Sequence, residues 1–178
     1  MAIAISLVFT TYNTCTYAAD TNQKSIAKIS KNEPKNWYDN LIFKETSFIF
    51  EFIRTAGYAY EKGADIGECI DTAKRIKDGN DLSWYKEWSK TADRLYGFAQ
   101  KMQKNNNSVS AKEAYLRASN YYRAAGFYMD YKPNFPKAMS SWKKSKESFL
   151  KAIAYMPNVT AIDIPYENTT LPGYFIKT

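Results

Sequence analysis

Apolar residues recur at steps of three and four along most of this chain, which is the period of an amphipathic helix. Five such segments precede residue 158, and we expect the folded part to begin near Trp37 and the first helix to end near Gly57. The apolar stripes are Leu41, Phe48, Ile49, Phe52, Ile53 and Ala56 in the first segment, Trp84, Trp88, Leu95, Phe98 and Met102 in the third, and Met139, Trp142, Phe149, Ala152, Ile153 and Met156 in the fifth. The fold is therefore predicted to be mainly α.

The fourth segment has a start signal of its own. Ser110 and Glu113 stand three residues apart, which is the spacing of a capping box, and this predicts a helix that begins near Ala111. One stripe of that helix is Ala114, Ala118, Tyr121, Ala125 and Tyr128, with Gly126 beside it. Small residues on a helix face allow a second helix to approach closely, so a neighbouring helix is expected here.

The second and third segments are bounded by polar signals. Asp65 and Glu68 form a second capping-box pattern, and Gly79 can adopt the left-handed conformation that ends a helix. Ser83 is the expected cap of the third helix, which the asparagine-rich turn at 105–108 should close.

After Pro157 the pattern changes to the alternation of extended strands. Residues 159–166 and 171–176 form two such runs, and residues 167–170 are suited to a turn between them. These features predict a carboxyl-terminal β-hairpin. A lone hairpin leaves its edges and an apolar face uncovered, so this one should belong to a larger sheet.

Length and composition fit one folded domain. The chain has 178 residues, of which 45% are hydrophobic and 16% aromatic, enough to form a substantial core. The formal net charge is +7, but the lysines of the fifth segment lie on its polar side and no nucleic-acid motif accompanies them. We therefore expect no nucleic-acid partner.

The chain contains no histidine. This excludes a complete Ser-His-Asp triad within these residues and removes the commonest metal ligand. Cys15 and Cys69 are too few for a structural zinc site, and Cys69 has the character of a small buried residue. No metal, no other cofactor and no catalytic residue is expected in the chain.

The amino terminus resembles a secretory signal peptide. A short apolar run, Ala2 to Phe9, is followed by small residues near Ala18 that could be cleaved, although no basic residue precedes the run. The run is too short to span a membrane. We expect residues 1–19 to be a signal peptide of a bacterial protein that is exported or periplasmic, with a cytoplasmic protein as the alternative, and residues 20–36 to be a polar linker.

Four motifs occur in an order and spacing that resemble a known family. They are Gly63-Ala-Asp-Ile-Gly-Glu68, Asp81-Leu-Ser-Trp-Tyr-Lys-Glu-Trp88, the segment from Ser110 to Ala125, and Ile164-Pro-Tyr-Glu-Asn-Thr-Thr-Leu-Pro-Gly-Tyr174. Together they resemble the amino-terminal part of serine α/β-hydrolases of the group containing dihydroxy-pseudo-oxynicotine hydrolase and the fermentation-respiration switch protein. The resemblance covers roughly residues 40–178.

The resemblance implies a division of the chain. Residues 37–157 would be an antiparallel helical cap of about five helices, and residues 158–178 a hairpin that starts a truncated α/β-hydrolase sheet. The nucleophilic serine of a Gly-x-Ser-x-Gly motif, the acid and the histidine would lie farther along. The chain is then a lid of an ester or carbon–carbon bond hydrolase, inactive alone. Its expected partners are a hydrolase domain, in cis or in a homologous subunit, and a small-molecule substrate.

Aromatic and arginine side chains of the cap are the candidate contacts to that substrate pocket. They are Trp84, Tyr85, Trp88, Arg117, Tyr121, Tyr122 and Arg123. The competing interpretation is that the aromatics form the core, because aromatic residues at helical spacing are more often buried in packing than exposed to a ligand. The arginines are the stronger candidates, since a guanidinium group near a buried surface needs a partner.

A second class of function is a free-standing protein-binding module. Phe149 and Ala152 followed by Pro157 fit the second helix of a tetratricopeptide repeat. Pro133 and Pro136 interrupt the place where the first helix of that repeat should run. The alternative is thus an exported helical protein that binds a partner.

Overall fold

The computed structural model describes residues 42–177. The predicted signal peptide, the linker and the start of structure at Trp37 and Leu41 lie outside these residues. The described part has five helices followed by two strands, so the prediction of a mainly helical fold with a terminal hairpin is confirmed. The elements are α1 Thr46–Gly57, α2 Ile66–Ala73, α3 Asp81–Lys104, α4 Ser108–Gly126, α5 Phe135–Ile153, β1 Val159–Tyr166 and β2 Thr169–Ile176.

Helix α4 packs between the other two long helices, α3 and α5, and runs antiparallel to both. Hydrogen bonds show the direction of α3 and α4: Tyr115, early in α4, bonds to Gln103, late in α3, whereas Tyr122, farther along α4, bonds to Asp93, which is earlier in α3. None of the helices described here is long and apolar enough to cross a bilayer.

Helix α4 does not begin where the Ser110 capping box predicted. Its N-cap is Asn107, which makes no side-chain capping bond, and the backbone amide of Ala111 already donates to the Asn107 carbonyl at 2.9 Å. Asn106 has a φ of 59°, so the asparagine turn itself reverses the chain and starts the helix. Ser110 therefore lies inside the first turn, and that prediction is wrong.

The start of α3 is also displaced from the prediction. Asn80 is the cap, since its side chain accepts the Ser83 amide at 2.8 Å, while the Ser83 hydroxyl accepts the Lys77 amide at 2.9 Å. The cap predicted at Asp65 is confirmed, since Asp65 accepts the Glu68 amide at 2.9 Å. Gly79 has the expected left-handed conformation, with a φ of +68°, but it does not end α2, which stops at Ala73 with Lys74 as its C-cap.

An aromatic cluster fills the space between α1, α3 and α4. The Phe48 and Trp84 rings lie 4.7 Å apart, the Trp84 and Trp88 rings 5.8 Å, and the Trp88 and Tyr121 rings 5.1 Å, measured between centroids. The Trp84 indole donates to the Ala124 carbonyl at 2.8 Å. This cluster joins α1 and α3 to α4 and forms the main core.

Helices α4 and α5 approach closely through small residues, as the sequence predicted. A Cβ atom added to Gly126 would lie 2.9 Å from the Ser141 Cβ. Farther along the same interface, the Ser119 hydroxyl lies 2.9 Å from the Ser145 carbonyl, and the Ser145 hydroxyl lies 2.8 Å from the Ser119 carbonyl. Each serine donates to the backbone of the other helix.

This contact decides which face of α5 is buried. Ser141, Ser148 and Ala152 are buried against the bundle, whereas Met139 and Trp142 are 45% and 56% exposed. The apolar stripe predicted for α5 is therefore only partly internal. Close packing on α4 requires small side chains, so the large ones remain outside.

Strands β1 and β2 form an antiparallel hairpin whose turn is Glu167 and Asn168. Ala161 pairs with Tyr174, and Ile162 pairs with Gly173. Because side chains alternate between the faces of a strand, Tyr174 lies on the face toward α5, where its ring is 4.8 Å from that of Phe149. The opposite face, called the outer face below, carries Ile162, Ile164, Tyr166, Leu171 and Phe175, which are 39–52% exposed.

Candidate functional site

Three of the aromatic residues that the sequence proposed for a pocket lie in the core. Trp84, Trp88 and Tyr121 have no exposed surface. Their neighbours are aromatic rings of α1, α3 and α4, and they line neither of the two grooves described below. The structure therefore places them beneath the surface of the helical bundle.

Two further tyrosines lie at the margin of that core. Tyr85 is half-buried and packs against the core cluster. Tyr122 is buried, and its hydroxyl donates to an Asp93 carboxylate oxygen at 2.6 Å. Burial, with that hydrogen bond as a second cause, raises the pKa of Tyr122 far above the ordinary tyrosine value. The phenol therefore stays protonated and acts as a structural donor, and the Lys144 ammonium group lies over its ring, 5.1 Å from the centroid.

Arg123 belongs to a polar network that we call the Glu51 network, formed by Glu51, Thr55, Asn120 and Arg123. Arg123 Nη1 lies 2.6 Å from Glu51 Oε1, and its other donors reach Thr55 Oγ1 at 3.1 Å and Asn120 Oδ1 at 3.1 Å. The Asn120 amide donates to the Thr55 and Gly63 carbonyls at 3.0 and 2.9 Å. The network ties α1 to α4, and it places a fully buried carboxylate beside a partly exposed guanidinium.

Arg117 faces a second carboxylate, that of Glu68 on α2. Arg117 Nε lies 3.2 Å from Glu68 Oε2, but it is not oriented for a hydrogen bond, so the contact is an ion pair without a directed bond. The Tyr121 hydroxyl lies 3.1 Å from the same oxygen and accepts the Asp65 amide at 2.9 Å. Arg117 and Tyr121 thus hold α2 against α4.

Cys69 confirms the expectation of a small buried residue. It has no exposed surface, and its thiol lies 3.6 Å from the Tyr121 hydroxyl. Burial raises the pKa of the Cys69 thiol to about 11. A nucleophilic cysteine needs a lowered pKa and access to solvent, so this thiol is inert.

A concave surface lies between α5 and the hairpin. It is a groove of about 310 Å³, named the α5 groove, with a smaller one of about 180 Å³ beside it. The larger groove is lined by Ser119, Trp142, Ser145, Lys146, Phe149, Pro172 and Tyr174. Three of these seven residues are aromatic, and Lys146 is the one charged residue among them.

The sequence prediction did not select this groove. Trp142 and Phe149 were assigned to the packed stripe of α5, although the spacing Trp142, Lys146, Phe149 places all three on one side of the helix. A lysine within an aromatic stripe was the available signal that this side is not fully buried. Within residues 42–177 no group of three or more potential ligands is placed to hold a metal ion.

Comparison with known proteins finds relatives that are named as hydrolases. The chain is 41% identical over 134 residues to a protein named as a hydrolase in a Fusarium species, with 74% of this chain and 32% of that protein covered. It is 37% identical to a 20-hydroxy-prefusarin hydrolase of Gibberella moniliformis, over 74% of this chain and 32% of the relative. It is 36% identical to an alpha/beta hydrolase of Aspergillus fumigatus, over 75% of this chain and 31% of the relative. No family model matches the chain.

These similarities support a relationship to hydrolases, and more narrowly to proteins named as alpha/beta hydrolases. The chain spans about a third of the length of the curated relatives it matches. All three relatives are fungal, so they give no support to the expectation of a bacterial protein.

Proposed function

We propose that this chain is the cap region and first hairpin of an α/β-hydrolase that cleaves an ester or a carbon–carbon bond. The supporting observation is the 41% identity to a protein named as a hydrolase, over a stretch that makes up 32% of it. The chain lacks histidine, so the general base of a serine hydrolase would come from the remaining part of such a protein.

The hairpin supports this proposal through the surface it leaves open. Within the described residues it is a two-stranded sheet, and its outer face exposes Ile162, Ile164, Leu171 and Phe175 by 39–50%. A contiguous apolar face with free strand edges is typical of a surface that another element covers. We propose that the hydrolase sheet continues from this hairpin and that the body of the hydrolase domain covers the outer face.

The cap would act by shaping the substrate pocket and excluding water from it. The seven aromatic and arginine residues proposed from the sequence remain a prediction for this purpose. Their buried contacts favour an indirect contribution: Arg117 and Arg123 fix α2 and α1 against α4, and the tryptophans fill the core behind the pocket.

A chimaera tests the proposal. Residues 42–178 replace the aligned third of the Gibberella moniliformis enzyme, and turnover of the substrate in that enzyme's name is measured. We expect measurable hydrolysis, and none in a matched chimaera that carries an unrelated helical bundle of the same length. A chimaera that unfolds cooperatively but has no activity would contradict a cap function.

A further inference from the structure

The walls of the α5 groove are held in place by side-chain contacts, and they are partly exposed to solvent. Phe149 and Tyr174 meet edge to face with their ring centroids 4.8 Å apart, which fixes the floor of the groove. Trp142 forms one side and is 56% exposed, whereas Trp84 and Trp88 are fully buried. The reciprocal serine bonds between Ser119 and Ser145 hold the base of the groove rigid.

The positive charge in the groove, that of Lys146, contacts an aromatic ring and no carboxylate among the described residues. The Lys146 ammonium group lies 5.5 Å from the centroid of the Trp142 ring, over its face. Among residues 42–177 no carboxylate lies within ion-pairing distance of Lys146. Asp163 lines the adjacent smaller groove, which Lys146 also borders, but the two side chains do not form an ion pair. A single cation at the edge of an aromatic slot complements a flat apolar molecule with one negative group.

We propose that the α5 groove binds a planar, apolar carboxylate, with its ring system against Trp142 and Phe149 and its carboxylate at Lys146. The volume of about 310 Å³ is at the small end of the range for ligand sites and suits one bicyclic molecule. This inference rests on the proposed cap function, because the ligand would be the substrate or product that the cap receives. The binding itself is a property of this chain.

The size of the α5 groove favours a small molecule over a second copy of the chain as its ligand. A stable protein interface buries roughly 800 Å² on each partner and has a mixed polar rim, whereas this groove is confined to seven residues. The larger apolar surface available to a protein is the outer face of the hairpin, on the other side of the strands.

The test uses the full chain and two probes of the same shape, 2-naphthoate and the uncharged 2-naphthamide, in titration calorimetry. We expect one saturable site with about threefold tighter binding of the naphthoate, as for a partly exposed charge pair. Lys146→Met should remove that preference and leave the naphthamide affinity unchanged. Trp142→Ala should weaken both probes by about fivefold, through the lost ring contact.

Lys143→Met is the matched control, because Lys143 is exposed on the same helix and does not line the groove. It should leave the preference intact. Equal affinity for the two probes, the same loss in both lysine variants, or no saturable binding would each overturn the proposal. A dimer in sedimentation velocity that Trp142→Ala abolishes would also overturn it, since a second copy would then occupy the groove.

These outcomes are separate from the test of cap function. Naphthoate binding is measured on this chain without any hydrolase domain, whereas cap function is measured as turnover by the chimaera. Loss of the naphthoate preference in an active chimaera would reject the ligand class alone.

Discussion

Glu51 Oε1 lies 2.6 Å from Arg123 Nη1, and the Glu51 side chain has no exposed surface although it stands in the apolar face of α1. Arg54 adds a second contact to the same carboxylate at 3.2 Å. We predict that Glu51→Gln destabilises the fold by about 2–3 kcal/mol, because it leaves a partly buried guanidinium without its charge partner. The measurement is the free energy of unfolding in urea.

Glu61→Gln serves as the control for this substitution. Glu61 is exposed, so the same change of charge there should alter stability by less than about 0.5 kcal/mol. Equal effects of the two substitutions would show that the Glu51 network contributes no specific stabilisation.

Gly126 and Gly97 are both helical glycines and form a matched pair. A Cβ at Gly126 would lie 2.9 Å from Ser141 Cβ, whereas a Cβ at Gly97 meets nothing within 4 Å. We predict that Gly126→Ala destabilises by about 1–3 kcal/mol through overpacking. Gly97→Ala should stabilise by about 0.5–1 kcal/mol, since alanine favours the helix. Urea unfolding measures both, and stabilisation by Gly126→Ala would show that α4 and α5 can separate without cost.

Trp84 and Trp88 are equally buried but differ in their hydrogen bonds. The Trp84 indole donates to the Ala124 carbonyl at 2.8 Å, while the Trp88 indole nitrogen has no partner among the described residues. We predict that Trp84→Phe costs about 0.5–1.5 kcal/mol more than Trp88→Phe, because only the former removes a hydrogen bond, while the Ala124 carbonyl keeps the Phe127 amide as a donor at 3.2 Å. Thermal unfolding of the two variants gives the comparison, and a larger loss for Trp88→Phe would contradict it.

Cys69 gives the fold a dependence on alkaline pH. Its thiol has a pKa of 9.0 in the absence of burial and about 11 in the folded chain. The unfolded chain therefore loses this proton first as the pH rises, so the stabilisation is complete below pH 9 and disappears between about 9 and 11. We predict that stability in this range falls more steeply in the parent chain than in Cys69→Ala, by a total on the order of 2 kcal/mol.

Urea unfolding at pH 8, 9.5 and 11 measures this difference. Cys15 is replaced by serine in both chains so that one thiol is compared. Tyrosines that do not contact Cys69, such as Tyr128 with a pKa of about 12, affect both chains alike and cancel. Burial raises the pKa of Tyr121, which contacts Cys69, too far for that phenol to titrate in this range. Parallel curves for the two chains would show that the Cys69 thiol is not protected by folding. Rapid reaction of Cys69 with a disulfide reagent at pH 8 would contradict the same point.

The periodicity of the sequence predicted the helices and the hairpin, but not which surfaces meet. The Ser110 pattern was placed inside a helix because the turn at Asn106 starts α4 earlier, and a local motif cannot show that. The large residues of α5 are outside because Gly126 and Ser141 set the distance between two helices. That distance depends on pairs of residues remote in sequence.

The candidate site was harder to predict for the same reason. Glu51 is a single charge between Phe50 and Phe52, and its partner Arg123 is 72 residues away. Nothing local distinguishes such a residue from a solvent-exposed one. The α5 groove combines a helix with a strand that follows it, so its walls are brought together only by the packing of the hairpin.

The alternation of the hairpin has a consequence for how this region can vary. Tyr174 lies toward the Phe149 ring, and its neighbour Phe175 lies on the outer face. Inserting or deleting one residue in β2 would move every following side chain to the opposite face, and so would damage the groove and the outer face at once. We therefore expect related sequences to differ in residue type along the two strands while keeping the length of each strand constant.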